Sequence, residues 1–177
     1  MASEFAISAT YGGPREQKDM GEKYDDLQEL GSKLVLEHPI NSITVSHGWV
    51  IDGIKVEYNT TNGSVPKTHG SMGNGRKDVE ITLKPTENVI EVSGVQGDAL
   101  HNPEWGRQVT RLSFKIFDSK TGLIRTVDEL GTGQELAQET RRDILVRGTL
   151  AGLAGTAKNG GPFVGLNQVQ FYTLTPA

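Results

Sequence analysis

The chain contains no cysteine, which excludes disulfides, thiolate metal sites and a thiol nucleophile. No stretch approaches the roughly 20 consecutive apolar residues that a membrane-spanning helix needs, so membrane insertion is not expected. Positive charge is not in excess. The 18 Lys and Arg against 22 Asp and Glu leave a net charge of -4, whereas a nucleic-acid surface normally needs a basic face. Met1-Ala2-Ser3-Glu4-Phe5 lacks the basic n-region and apolar run of a secretory signal. The expectation is therefore a cytoplasmic protein, or one released without such a signal. On that expectation Asn59-Thr60-Thr61 and Asn62-Gly63-Ser64 read as turn sequence and not as glycosylation acceptors.

What the chain does have is glycine, 22 residues among 177, spaced fairly evenly. Between the glycines lie short runs of period-two alternation. Ile43 and Val45 oppose Thr44, and Ile54, Val56 and Tyr58 oppose Lys55 and Glu57. Val79, Ile81 and Leu83 form another run, as do Leu112, Phe114 and Ile116, and then Val169, Phe171 and Thr173. Alternate side chains of a strand face opposite sides, so each run offers one face to a core and one to water. Many short strands divided by turn signals predict an all-β sandwich, barrel or prism. The length suits one domain spanning 1-177 with a core of its own. Helical signal is scarce. Asp128 to Arg142 holds good helix formers, but Gly131 and Gly133 break its start, so a loop with at most a short helical turn is expected. Val35 and Leu36 read as the lead into a strand.

Enzyme chemistry finds little support. The histidines His38, His47, His69 and His101 lack the i,i+4 pairing of a helical zinc motif. No serine sits in Gly-x-Ser-x-Gly, and no pair of carboxylates is singled out for glycoside hydrolysis. Gly70-Ser71-Met72-Gly73-Asn74-Gly75-Arg76-Lys77 superficially suggests a phosphate loop. However, Arg76 stands where that motif wants lysine, and Asp78 to Leu83 continues as a strand, without the helix N-terminus a phosphate would use. Gly48-Trp49-Val50-Ile51-Asp52 lies between two strands, with Gly48 able to take a positive φ. Such a loop can offer amide donors beside the Asp52 carboxylate, the pairing a sugar hydroxyl needs. It can equally be a hairpin turn whose aspartate caps local backbone.

Further features occur in order along the chain. Gly12-Gly13-Pro14 precedes Tyr24-Asp25-Asp26, and the strand Ile43 to His47 leads through Gly48 to Asp52 into a strand ending at Tyr58. A His69-Gly70 turn follows, then Ile81-Thr82-Leu83, Glu91-Val92-Ser93-Gly94 and Leu112-Ser113-Phe114-Lys115. The glycine-rich Gly148 to Gly155 and Val169-Gln170-Phe171-Tyr172 close the series. Together they resemble the jacalin-related lectins over nearly the whole chain.

The resemblance implies an all-β fold, a β-prism of three four-stranded Greek-key sheets. It also implies carbohydrate binding without catalysis, metal or cofactor. The family's usual site joins the N-terminal glycine loop to a late Gly-x-x-x-Asp loop, which places Gly13 against Val164, Gly165, Leu166 and Asn167. Here the sequence departs from the pattern. Asn167 stands where the family has aspartate, and an amide offers one acceptor oxygen where a carboxylate offers two. A second site of some mannose-binding members joins a middle Gly-x-x-x-Asp loop to the His-Gly turn. That loop is intact as Gly48, Trp49, Val50 and Asp52, with Gly70 opposite. Trp49 either lies along a sugar's apolar face or packs inward. A third loop, around Gly97-Asp98 and His101, lacks the pattern. The chain ahead of Gly12-Gly13 resembles the mannose-binding branch more than the galactose-binding one, whose pocket uses a free terminal glycine. The partners implied are mannose-containing glycans, and a dimer would supply the avidity that single shallow sites lack.

Overall fold

The computed structural model describes residues 5–13, 21–73, 77–101, 105–131, 136–158 and 165–175. Among the described residues thirteen strands dominate: β1 Phe5–Ile7, β2 Tyr11–Gly12, β3 Glu22–Asp25, β4 Ile40–His47, β5 Ile51–Thr60, β6 Gly63–Gly70, β7 Lys77–Thr82, β8 Glu87–Asp98, β9 Arg107–Asp118, β10 Ile124–Leu130, β11 Arg142–Arg147, β12 Leu150–Ala157 and β13 Leu166–Leu174. The described helix is short, α1 Asp26–Leu30, capped by the Asp25 carboxylate accepting from Gln28 N and followed by a 3-10 turn.

The strands form three antiparallel sheets with one recurring order. One runs β6-β5-β4-β7, a second β10-β9-β8-β11. In each, three strands joined by hairpins are followed by a fourth that returns beside the first, which is a Greek key. The remaining sheet has β12 and β13 at its centre, β3 beside β12, and β1 and β2 pairing one after the other along β13. It repeats the same order, with N-terminal strands supplying the third and fourth positions. Thus β2, β6 and β10 are equivalent, as are β13, β5 and β9. The three sheets make the β-prism that the resemblance implied.

The alternating runs put their apolar members inside. Ile54, Val56 and Tyr58 are buried while Lys55 is exposed, and Leu112, Phe114 and Ile116 are buried while Arg111 and Lys115 are exposed. Side chains from all three sheets, with Leu30 and Leu34, join one apolar cluster. Each fully buried Leu, Ile, Val or Phe contributes about 1.5–3 kcal/mol of transfer free energy.

Two local expectations are corrected. Val35 and Leu36 do not open a strand: Leu34 makes an isolated bridge to Thr60, Leu36 lies in a turn, and β4 starts at Ile40. Nor is the region from Asp128 to Arg142 a loop throughout, since Asp128–Leu130 end β10 and Arg142 begins β11. Pairing with β9 across a register irregularity overrides the weak helical composition there.

Candidate functional site

The β4–β5 hairpin turns through Gly48, Trp49 and Val50, closed by Gly48 N donating to Val50 O at 3.1 Å. Gly48, which the sequence left free to take a positive φ, does not take one. Its missing Cβ instead leaves room beside the carboxylate of Asp52, whose Oδ2 would lie 3.9 Å from such an atom. Val50 is buried and Trp49 is 64% exposed. The indole therefore projects from the hairpin and is not a core side chain. Asp52 is only 7% exposed and sits at the base of the turn.

Gly70 brings the neighbouring turn against this loop. Its φ is +86°, and a Cβ there would meet Asp52 O at 2.4 Å, Leu166 N at 2.8 Å and Gly165 C at 3.0 Å. Only glycine satisfies both demands. Ser71 N then donates to Asp52 O at 3.0 Å, and a Cβ on Gly165 would strike Ser71 N at 2.3 Å. Gly165 and Leu166 therefore pack directly on Gly70 and Ser71.

The N-terminal glycine loop makes the parallel arrangement. Gly12, with φ +79°, lies where a Cβ would be 2.4 Å from Asn167 O. Gly13 faces the Gln168 amide, bonds Arg107 through both N and O at 3.0 and 2.9 Å, and so ties β2 to the start of β9. Gly131, after β10, completes the set: φ +95°, with Thr110 O 2.2 Å from its would-be Cβ and Ile51 Cδ1 at 3.2 Å. Thus Gly12, Gly70 and Gly131 each end the third strand of their sheet against Asn167, Asp52 and Thr110 respectively. These three residues occupy one position of a threefold-repeated device at one end of the prism. The structure thereby brings Gly12 beside Asn167, with Gly13 against Gln168, and Gly70 beside Asp52. Val164 lies outside the described residues.

The threefold register also explains the third loop. Its equivalent of Asp52 is Thr110, not Asp98; Thr110 is buried and its hydroxyl donates to Val95 O at 3.2 Å. Asp98 pairs across from Arg107, its amide bonded to Thr140 Oγ1 at 2.9 Å, and His101 is exposed. Among the three equivalent positions, only Asp52 carries a carboxylate.

Sequence reasoning missed the support behind Gly70. Asp26, fully buried, accepts from the Tyr58 hydroxyl at 2.5 Å and lies 2.8 Å from His69 Nε2. The Tyr24 ring stacks on the His69 ring at 3.6 Å. Burial, reinforced by the Asp26 charge, pushes both phenols, Tyr24 and Tyr58, well above the ordinary tyrosine range, so they remain donors. The adjacent acidic pair Asp25-Asp26 was the available signal: Asp25 caps α1 by accepting from Gln28 N, and Asp26 is buried. A second support holds unpartnered groups. His47 is buried with neither ring nitrogen hydrogen-bonded, and Ser71 Oγ and Ser46 Oγ are likewise unpartnered. Burial lowers the His47 pKa, as does the charge of Lys77, while Asp52 and Asp78 oppose the shift.

A prism with three glycine-backed hairpin loops at one end, one of them carrying a buried carboxylate beside an exposed indole, has the form of a sugar-binding domain. The chain belongs to the jacalin-like lectin family, whose domain model matches residues 9–160. Among solved structures it is similar to a mannose-specific jacalin-related lectin from Morus nigra in complex with mannose, with a TM-score of 0.68, 23% identity, and 98% of this chain and 96% of that one covered. It is also similar to a mannose-binding lectin from Champedak, at TM-score 0.68, 24% identity and coverage of 99% and 100%. A single-chain recombinant jacalin follows at TM-score 0.65, 21% identity and coverage of 98% and 96%. At these identities the likeness concerns the fold. No curated protein sequence matches the chain.

Proposed function

We propose that this protein is a non-catalytic lectin for mannose-type glycans, and that the Gly48–Asp52 loop with Gly70 is its principal site. The observation that carries this reading is the unequal filling of the three equivalent positions: Asp52 is a carboxylate, Asn167 an amide and Thr110 an inward-bonded hydroxyl. A carboxylate accepts from two sugar hydroxyls at once, and such charge-assisted bonds contribute about 1.5–3 kcal/mol each. The amides of Trp49 and Val50 supply donors, and the exposed Trp49 ring supplies an apolar face. Gly13 with Gly165, Leu166 and Asn167 forms a weaker companion site. Two sites on one chain, or a dimer, provide avidity. Membership of a lectin family and the mannose ligands named for two structural relatives support the sugar class.

A glycan array with and without EDTA tests this reading, followed by titration of Asp52→Ala and Asn167→Ala. The expected result is EDTA-resistant binding to mannose-rich glycans that Asp52→Ala lowers most, leaving the weaker binding of the companion site, and that Asn167→Ala lowers less. Galactoside-only binding would overturn the specificity. The loss of the carboxylate at two of three positions favours a second reading, a protein-interaction module on the same scaffold. Absence of all glycan binding would select it.

A further inference from the structure

The outward face of the β1-β13-β12-β3 sheet carries a groove of about 630 Å³ that no loop site accounts for. Strand composition creates it. On the outer side of β12 stand Ala154 and Thr156, flanked by Gln170 and Gln168 of β13 and by Asp25 and Lys23 of β3. Small residues in the central strand between taller neighbours leave a trough. Ala154 is 5% exposed yet lies outside the apolar cluster, because its methyl forms the trough's floor and not part of the core. At Gly152 the trough ends, since the Leu27 side chain occupies the space a Cβ would need, at 2.8 Å. The Tyr172 hydroxyl reaches over β12 to donate to Asp25 Oδ2 at 2.9 Å and closes the same end.

The opposite end opens toward the glycine loop. Gln168 is shared: its Oε1 accepts from Thr156 Oγ1 at 3.3 Å inside the groove, while its Nε2 would stand 3.4 Å from a Cβ on Gly13. Thr10, just ahead of Gly12-Gly13, lines the rim. From Gln168 to Tyr172 the groove runs about 13 Å along β13, at about 3.3 Å per residue. The walls combine amides, hydroxyls and carboxylate with the Tyr172 ring, in a volume typical of small-molecule sites.

We infer that this groove holds the inner residues of a linear oligosaccharide whose end residue occupies the Gly13–Asn167 loop. The inference rests on the sugar-binding reading of that loop and extends it to a chain of several rings. Three features favour an oligosaccharide. The groove is continuous with the loop site through Gln168. It is lined by amides, hydroxyls, carboxylates and an ammonium group, all of them able to hydrogen-bond a row of hydroxyls. It is too polar to seat an apolar peptide or helix.

The experiment compares binding of mannose and of linear mannopentaose by calorimetry to the unmodified protein, to Ala154→Leu and to Gln170→Ala. Ala154→Leu fills the trough from its floor, and Gln170→Ala removes a wall without adding bulk, which covers the case where the larger residue disturbs folding. To isolate the companion loop, all three proteins carry Asp52→Ala. The expected result is pentaose binding about tenfold tighter than mannose, or about 1.4 kcal/mol, with both groove variants losing that gain and retaining mannose affinity. Equal affinity for the two sugars, or a length preference unchanged by both variants, overturns the groove while leaving the loop reading intact. Loss of mannose binding already in the Asp52→Ala background overturns the companion loop and the groove together. A change in oligomeric mass in Ala154→Leu without a change in length preference assigns the face to a second copy of the chain, and also overturns the inference.

Discussion

The carbonyl oxygen of Asp52 stands 2.4 Å from the point a Cβ on Gly70 would occupy, in a glycine whose φ is +86°. Side chain and backbone are therefore both forbidden there. Gly70→Ala is expected to destabilise the protein by more than about 1 kcal/mol, the least that a wrong-handed conformation costs, with the backbone collision adding to it. Sugar binding at the Asp52 loop should fall with it. Gly48→Ala is the contrasting variant, since its φ is ordinary and nothing lies nearer than 3.9 Å. It should change stability by less than about 1 kcal/mol. Chemical denaturation of both variants makes the comparison.

Asp26 is buried with His69 and Tyr58 as partners. Removing Asp26 leaves the buried Tyr58 hydroxyl and His69 Nε2 without their acceptor, at about 1–3 kcal/mol for each stranded group. Asp26→Ala should lose stability on that scale, and Tyr58→Phe by about 1–3 kcal/mol. Because His69 precedes Gly70, a residual folded fraction of Asp26→Ala should also bind sugar more weakly. Equilibrium urea unfolding and a sugar titration read the two effects.

Trp49 is 64% exposed, so Trp49→Ala should move stability by no more than about 0.5 kcal/mol. If its ring covers the sugar's apolar face, affinity falls severalfold while the melting temperature stays. Unchanged affinity would remove Trp49 from the site.

His47 titrates below its ordinary value of 6.5, first because it is buried and then because Lys77 is near. The unfolded chain therefore takes up the proton before the folded one does. Stability is present in full above about pH 6.5 and declines as pH falls through that value toward the lower folded one. His47→Gln should flatten this part of the stability curve. Denaturation midpoints from pH 7.5 to 5 in both proteins decide it.

Glu87 behaves differently. Its hydrogen bonds to Arg125, at 2.9 Å through both guanidinium contacts, hold its carboxyl at about 2 instead of 4.5. A depressed carboxylate stabilises the fold above about pH 4.5 and loses that contribution as pH drops toward 2. Glu87→Gln should lower stability at neutral pH and change it little at pH 2, as measured by guanidinium unfolding.

Much of the fold was legible because period-two alternation is a local signal. Ile54-Val56-Tyr58 and Leu112-Phe114-Ile116 state their inner face without reference to the rest of the chain. Boundaries were less so. Val35 and Leu36 have strand-forming side chains, yet their contact with β5 is limited to the Leu34–Thr60 bridge and Val35 N donating to Asn59 O, and pairing is decided at long range. The site was half legible. Asp52 and Gly70 follow a spacing, whereas Gly48 was free to supply handedness and supplies space instead. Asp26 was visible only as half of an acidic pair, because the residues that give it meaning, Tyr58 and His69, are distant in sequence. Likewise, the equivalence of Asp52, Asn167 and Thr110 emerges only from what three glycines touch.

The β1-β13-β12-β3 sheet joins the two ends of the sequence: β1 and β2 pair with β13, and β3 with β12. During synthesis the other two sheets can assemble from segments already made, each from four successive strands. The N-terminal strands have no sheet partner until residues 150–174 emerge. Their pairing is thus the most non-local step in the fold and the slowest kind to nucleate. Through that delay Gly12 and Gly13 wait for Asn167, so the companion loop and the groove beside it form only when the last strand docks, while the Asp52 loop can already be in place.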